Sequence, residues 1–291
     1  MKTILVPTDF SRLSKVGVTY AISLAKEMDA RVILLSVINA SASSNTLMNW
    51  KKFEKEMVKT AQQEADKLLG EIKSQGDTLD ISYRSLLGFP IADMIDQFAV
   101  KNKVDLIVMG SKGATGLKKV FLGSNATAVI DTSHVPLIVV PGEADFKQMK
   151  KLVYATDMQN LQKEIGIVAR FASLFDAHIH VLHVIQGESS KKSGEKLERE
   201  RFQISNEAAL ISKSRYPKIH LHVLENKNIA DAVDKFVQDQ KADLLAMFTH
   251  RLDFYEKFFG KSVTRQFAFH GKVPLLTFNK TNYCAMPCRQ E

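Results

Sequence analysis

The sequence predicts an α/β protein built from two tandem, doubly wound domains, residues 1–145 and 146–291, each a five-stranded parallel sheet flanked by helices. Three observations carry this. Short apolar runs rich in Val, Ile and Leu alternate with longer stretches of helical periodicity, and continuously apolar strands between helices imply a parallel sheet covered on both faces. The chain is also written twice: "ILVPTD" (Ile4 to Asp9) recurs as "LVYATD" (Leu152 to Asp157), "ARVILLSVI" as "AHIHVLHVI", "VDLIVMG" as "ADLLAMF" and "HVPLIVV" as "KVPLLTF". Finally, 291 residues are too many for one ordinary core and comfortable for two.

In the first half the strands fall at about Thr3–Thr8, Arg31–Val37, Ile81–Ser85, Asp105–Met109 and Pro136–Val140. Ser11 is suited to cap the first helix, in which Ala21, Leu24, Ala25 and Met28 share one face. A second helix spans about Leu47–Ile72, a third follows Gly88–Pro90, and a fourth starts near Ser124. From Val104 onward the second half repeats the first without a gap, and the join lies near "PGEADFKQMK".

Composition narrows the function classes. No run approaches the ~18 apolar residues of a membrane span, the start is too short in apolar residues for a signal peptide, and Cys284 and Cys288 sit together near the end. A cytoplasmic protein is expected. The net charge of +8 is lopsided: residues 1–145 carry 17 Lys and Arg against 16 Asp and Glu, residues 146–291 carry 23 against 16. The excess lies in mixed-sign stretches such as "KKSGEKLERER", which read as solvated faces and not as a nucleic-acid surface.

The feature that points to a ligand is "MGSKGATGLKKVFLGSN" (Met109 to Asn125), a glycine-rich loop at the carboxyl end of the fourth strand. In doubly wound sheets ligands bind beyond the carboxyl strand ends, where the strand order reverses. Phosphate recognition needs convergent backbone N–H groups without Cβ atoms in the way, and a following helix adds free amides and a favourable dipole. Gly110 and Gly113 would allow close approach, while Gly123 and Ser124 would open the receiving helix; the Ser124 hydroxyl can reach a phosphate or a bound metal. Two other nucleotide motifs fail on spacing. The loop reads Gly110-x-x-Gly113-x-x-Gly116 after the fourth strand, not G-x-G-x-x-G after the first, and "GKS" at Gly260–Ser262 has Tyr255 where a P-loop needs its first glycine.

The pattern Gly110-x2-Gly113-x9-Gly123-Ser124 resembles the nucleotide-binding signature of the universal stress protein family, in its ATP-binding branch. "ILVPTDFS", "GFPIADMI", "VDLIVMGSKG" and "VPLIVV" support the resemblance, which covers both halves. It implies a Rossmann-like fold of the adenine nucleotide alpha hydrolase-like type with sheet order 3-2-1-4-5. It further implies that Asp9 and the backbone at Val37 contact adenine, while Gly110, Gly113, Gly123, Ser124 and the Asn125 amide hold ribose and phosphates. ATP is the implied ligand, with Mg as a possible companion. Family dimers pair through the last strand, so the two halves are expected to pair as an intrachain pseudo-dimer; a homodimer and an unidentified protein partner stay open.

The second half departs from the signature. Gly110, Gly113, Gly116 and Gly123 become Phe248, Arg251, Phe254 and Lys261, and Ser124 keeps its type as Ser262. Bulk at these positions should fill the pocket, and Asp157, the counterpart of Asp9, is expected to cap or turn the chain. His178, His180, His220 and His222 have period-two spacing on neighbouring strands and are candidates for a transition metal, but no Cys or carboxylate joins them at diagnostic spacing. Half-exposed polar residues on a sheet is the plainer reading, and no metal is assigned.

No catalytic residue is assigned either. Hydrolysis needs an oriented water and charge stabilisation at the γ-phosphate, and local sequence ties no second carboxylate or histidine to the loop. The expected function is ATP binding in stress response or regulation with little or no hydrolysis. Alternatives are a slow hydrolase or other nucleotide-dependent enzyme on the same fold, and a ligand-free interaction scaffold.

Overall fold

The computed structural model describes residues 2–39, 47–74, 78–111, 123–187, 205–249 and 273–279. The chain divides into two compact units, Met1–Phe146 and Lys147–Glu291.

In the first unit, strands β1 (Lys2–Pro7), β2 (Ala30–Ile38), β3 (Ile81–Leu87), β4 (Leu106–Gly110) and β5 (Leu137–Val140) are all parallel, with neighbours in the order β3-β2-β1-β4-β5. Helices α1 (Arg12–Met28), α2 (Leu47–Ser74), α3 (Ile91–Lys101) and α4 (Ser124–Thr132) connect them. The sequence ends β3 at Ser85, whereas the strand continues to Leu87 because β2 itself runs to Ile38 and the ladder pairs Ile38 with Leu87. The Ser11 side chain accepts the Ser14 N–H at 3.2 Å as the N-cap of α1, and Asp29 ends the helix in the left-handed region at φ 49°. The inward face of α1 (Val18, Ala21, Leu24, Ala25) lies against the sheet face that carries Ile4, Val6, Leu34 and Val108, all at most 1% exposed. Burying each such aliphatic side chain contributes roughly 1.5–3 kcal/mol.

The second unit repeats the plan. β6 (Lys151–Ala155), β7 (His178–Gln186), β8 (Ile219–Asn226), β9 (Leu244–Thr249) and β10 (Leu275–Asn279) are parallel, with neighbours in the order β8-β7-β6-β9-β10. Among the described residues the connecting helices are α5 (Leu161–Ser173), α6 (205–214) and α7 (Ile229–Gln240). A core on one face joins Val153, Leu182 and Val184 to Val233, Phe236 and Val237 of α7. No helix among the described residues is long and apolar enough to cross a membrane.

Candidate functional site

In the first unit β1 pairs with β2 on one side and β4 on the other, so the chain leaves the sheet in opposite directions from these two neighbours. Beyond their carboxyl ends lies a cavity of about 300 Å³. Thr8 and Asp9 line it from the end of β1, Ser14 from α1, Leu35 and Val37 from β2, and Ile91 and Ile95 from α3. Met109, Gly110 and Ser111 close it from β4, and Gly123 to Ala126 from the start of α4. Every residue expected at the ligand site is therefore on this wall except Gly113, which lies outside the described residues, as do Lys112, Lys118 and Lys119.

The β1–α1 side is held by a short hydrogen-bond chain. The Ser14 hydroxyl donates to the Ser11 carbonyl at 3.0 Å, so in its 3.0 Å contact with Thr8 the Thr8 hydroxyl is the donor; Thr8 Oγ1 also accepts the Phe10 N–H at 3.0 Å. Asp9 Oδ1 accepts the Ser11 N–H at 3.0 Å. Partial burial works to raise the Asp9 pKa, but hydrogen bonds led by those from Ser11 outweigh it and hold the carboxyl below its ordinary value. This side of the cavity is thus anionic and rich in acceptors.

The start of α4 supplies donors. Gly123 is the N-cap of α4 and makes no side-chain cap bond, so the first amides of the helix have neither intrahelical nor capping side-chain partners. The Gly123 N–H donates to the Ser111 carbonyl at 2.6 Å and the Ser111 N–H to the Val140 carbonyl at 2.8 Å. These bonds set the start of α4 against the end of β4.

One glycine has a packing role besides the one the sequence suggests. A Cβ on Gly110 would fall 2.6 Å from the Leu13 carbonyl oxygen, and a Cβ on Gly17 would fall 2.6 Å from the Gly110 nitrogen. The missing side chain at Gly110 lets α1 lie directly on β4. Gly17, which sequence reasoning passed over, is its reciprocal partner; the available signal was a glycine inside an otherwise regular amphipathic helix. Gly123 has φ −63°, a value any residue adopts, so its backbone angle does not demand glycine.

In the second unit Phe248 takes the place of Gly110. It is 2% exposed, stacks on Phe278 at 4.9 Å between ring centres and meets Tyr154 edge-on at 5.8 Å. The Tyr154 hydroxyl donates to the buried Glu164 carboxylate. At this position the interior is side chain where the first unit has two apposed glycines; Arg251, Phe254, Lys261 and Ser262 lie outside the described residues. Asp157 Oδ1 accepts the Gln159 N–H at 2.9 Å, a turn role as expected. The four paired-strand histidines do share one face, but among the described residues no group of three or more His, Cys, Asp or Glu is placed to hold a metal ion.

The family model described as "Universal stress protein family" matches residues 1–141 and 149–279. The chain belongs to the universal stress protein family. Among curated members, it is 38% identical over 143 residues to Universal stress protein MJ0531 of Methanocaldococcus jannaschii, covering 48% of this chain and 81% of that one. It is 28% identical over 153 residues to Universal stress protein MJ0577 of the same organism, covering 48% and 94%. Among solved structures, a universal stress protein from Archaeoglobus fulgidus shares the fold with a TM-score of 0.68 at 19% identity, covering 95% of this chain and 98% of that one. This universal stress protein therefore carries the family domain twice.

Proposed function

We propose that the N-terminal domain binds ATP and that the protein acts in stress response or regulation with little or no hydrolysis. The observation that carries this reading is the lining of one cavity, which brings together the Asp9 carboxylate, the start of α4 with its uncapped amides, and the apolar Leu35, Val37, Ile91 and Ile95. Its volume lies at the small end of the ~300–1,000 Å³ typical of ligand pockets. Helix amides and dipole favour an anion, and apolar side chains suit the faces of a base.

In this reading Asp9 and the Val37 backbone contact adenine. Gly110, Gly113, Gly123, Ser124 and the Asn125 amide take ribose and phosphates, with the Ser124 hydroxyl available to a phosphate-bound Mg. Bound Mg would supply charge neutralisation at the phosphates. Hydrolysis requires a base near the attacking water and stabilisation at the γ-phosphate, whereas the carboxylate of the described lining, Asp9, belongs to the β1 end and not to the α4 end. The C-terminal domain, with Phe248 at the glycine position, is not a second site of this kind.

Isothermal titration calorimetry with ATP, together with mass spectrometry of small molecules released from freshly purified, denatured protein, tests the proposal. One ATP per chain and co-purifying adenine nucleotide are expected; two equivalent sites, or no measurable heat, would overturn it.

A further inference from the structure

Strands β7 and β8 bring four imidazoles to one face of the second domain. His180 is in register with His220, and Leu182 with His222. His178 Nδ1 lies 3.1 Å from His220 Nε2, and His180 Nδ1 lies 3.1 Å from His222 Nε2. The ring centres of these pairs are 5.4 and 5.2 Å apart with interplanar angles of 10° and 25°. Each separation is the N···N distance extended by the centre-to-nitrogen reach of both rings, so the nitrogens point at each other along the ring planes. That is the geometry of an N–H···N hydrogen bond. In a tetrahedral zinc site two imidazole nitrogens lie about 3.3 Å apart with both lone pairs converging on the ion, whereas here each nitrogen is aimed at its partner, which suits a shared proton. His220 and His180 are 5.2 Å apart at 33°, joining the two pairs into a ladder.

We propose that this ladder is a proton-binding site that weakens the pairing of β8 with β7 in acid. The reasoning is a count of protons. A neutral pair holds one bridging N–H and keeps one unprotonated outer nitrogen. A first added proton occupies that nitrogen and leaves the bridge intact. A second protonates every nitrogen, aims two N–H groups at each other across 3.1 Å, and breaks the pair.

The surroundings set the direction. Lys151 of β6 faces His180 and adds positive charge, its Nζ held by the Gln240 carbonyl at the end of α7 at 3.1 Å. Phe236 of α7 covers His222, with ring centres 4.9 Å apart. Glu207 of α6 opposes, drawing protons to His222 while its Oε2 accepts the Leu221 N–H of β8 at 2.8 Å. Burial, then His222, His220, Lys151 and His178, push the His180 pKa down from 6.5 to about 4. Burial and His220 lower His222 as well. Because the folded value is depressed, the unfolded chain binds more protons across this window: the stabilisation is complete above pH 6.5 and is lost as pH falls toward about 4.

The test is amide hydrogen exchange on the full chain from pH 7.5 to 4.5, corrected for intrinsic rates, with β2 and β3 as internal reference. Allowing for the half-exposed rings, β8 protection is expected to fall about tenfold relative to the reference, one pKa unit corresponding to tenfold in the equilibrium. The double variant His180→Gln/His222→Gln should flatten that fall. Imidazole 15N shifts of the unmodified protein give a readout that needs no variant, and His180 should stay neutral at pH 5.5. Parallel loss of protection in β8 and β2–β3, or four imidazoles titrating together near the free-histidine value, overturns the proposal. Neither measurement depends on whether the first domain binds ATP.

Discussion

Replacing Gly17 by alanine isolates the contact that shapes the candidate site. In a helix interior alanine is favoured over glycine by about 1 kcal/mol, so local propensity alone says the variant is more stable. The structure says the reverse. The new methyl would lie 2.6 Å from the Gly110 nitrogen, 3.0 Å from the Met109 carbonyl carbon and 3.3 Å from the Met109 Cα. All three are backbone atoms of β4, a strand paired on both sides with β1 and β5, and cannot swing away as a flexible side chain could. Relief requires α1 to back off by roughly 1 Å to regain ordinary carbon contact, and forced overpacking costs about 1–3 kcal/mol. Against the propensity gain of about 1 kcal/mol, a net loss of up to about 2 kcal/mol is expected, or up to roughly 8 °C at ~2–4 °C per kcal/mol for a domain of this size. Gly70→Ala and Gly166→Ala are built-in controls: both lie within helices, nothing stands within 4 Å of their added methyl groups, and each should gain about 0.5–1 kcal/mol. Urea unfolding followed by fluorescence of Trp50, the chain's one tryptophan and part of the first domain, reads Gly17→Ala and Gly70→Ala directly. A Gly17→Ala protein as stable as Gly70→Ala would refute the backbone contact and the account of Gly110 that rests on it.

Other changes separate binding from packing. Gly123→Ala keeps an allowed backbone at φ −63°, so stability should change by less than about 1 kcal/mol at this cap position, while ATP affinity measured by calorimetry drops tenfold or more; undiminished affinity would leave the phosphate role of this glycine without support. Ser11→Ala removes the oxygen that accepts the Ser14 N–H and should lower the Trp50-monitored stability by about 1 kcal/mol, with no change meaning that water replaces the cap fully. Tyr154→Phe takes one donor from the buried Glu164 and should cost about 1–3 kcal/mol in the second domain; calorimetric melting should show this loss while the Trp50 transition stays in place.

Several features were legible in the sequence because they depend on neighbours in the chain. Alternation of apolar runs with helical periodicity marked β1–β5 to within about two residues. Ser11 as N-cap and the start of α4 at Ser124 follow from local hydrogen-bonding chemistry. The spacing of Gly110, Gly123 and Ser124 at the carboxyl end of a strand marked a loop whose described residues line the cavity, as does Asp9.

Which backbone a glycine serves was not legible, because that depends on which segment lies across from it. Gly110 reads as a ligand-facing residue in isolation; only the crossing of α1 over β4 turns its missing Cβ toward Leu13 and recruits Gly17. The histidines show the same division. Period-two spacing put His178 with His180 and His220 with His222 on common faces, but register and ring orientation made them two hydrogen-bonded pairs. Pattern along the chain determined what the elements are and where the cavity opens. Contacts between residues far apart in sequence decided which side chains must be absent and which imidazoles meet, because steric exclusion and N–H direction exist only once the elements are packed.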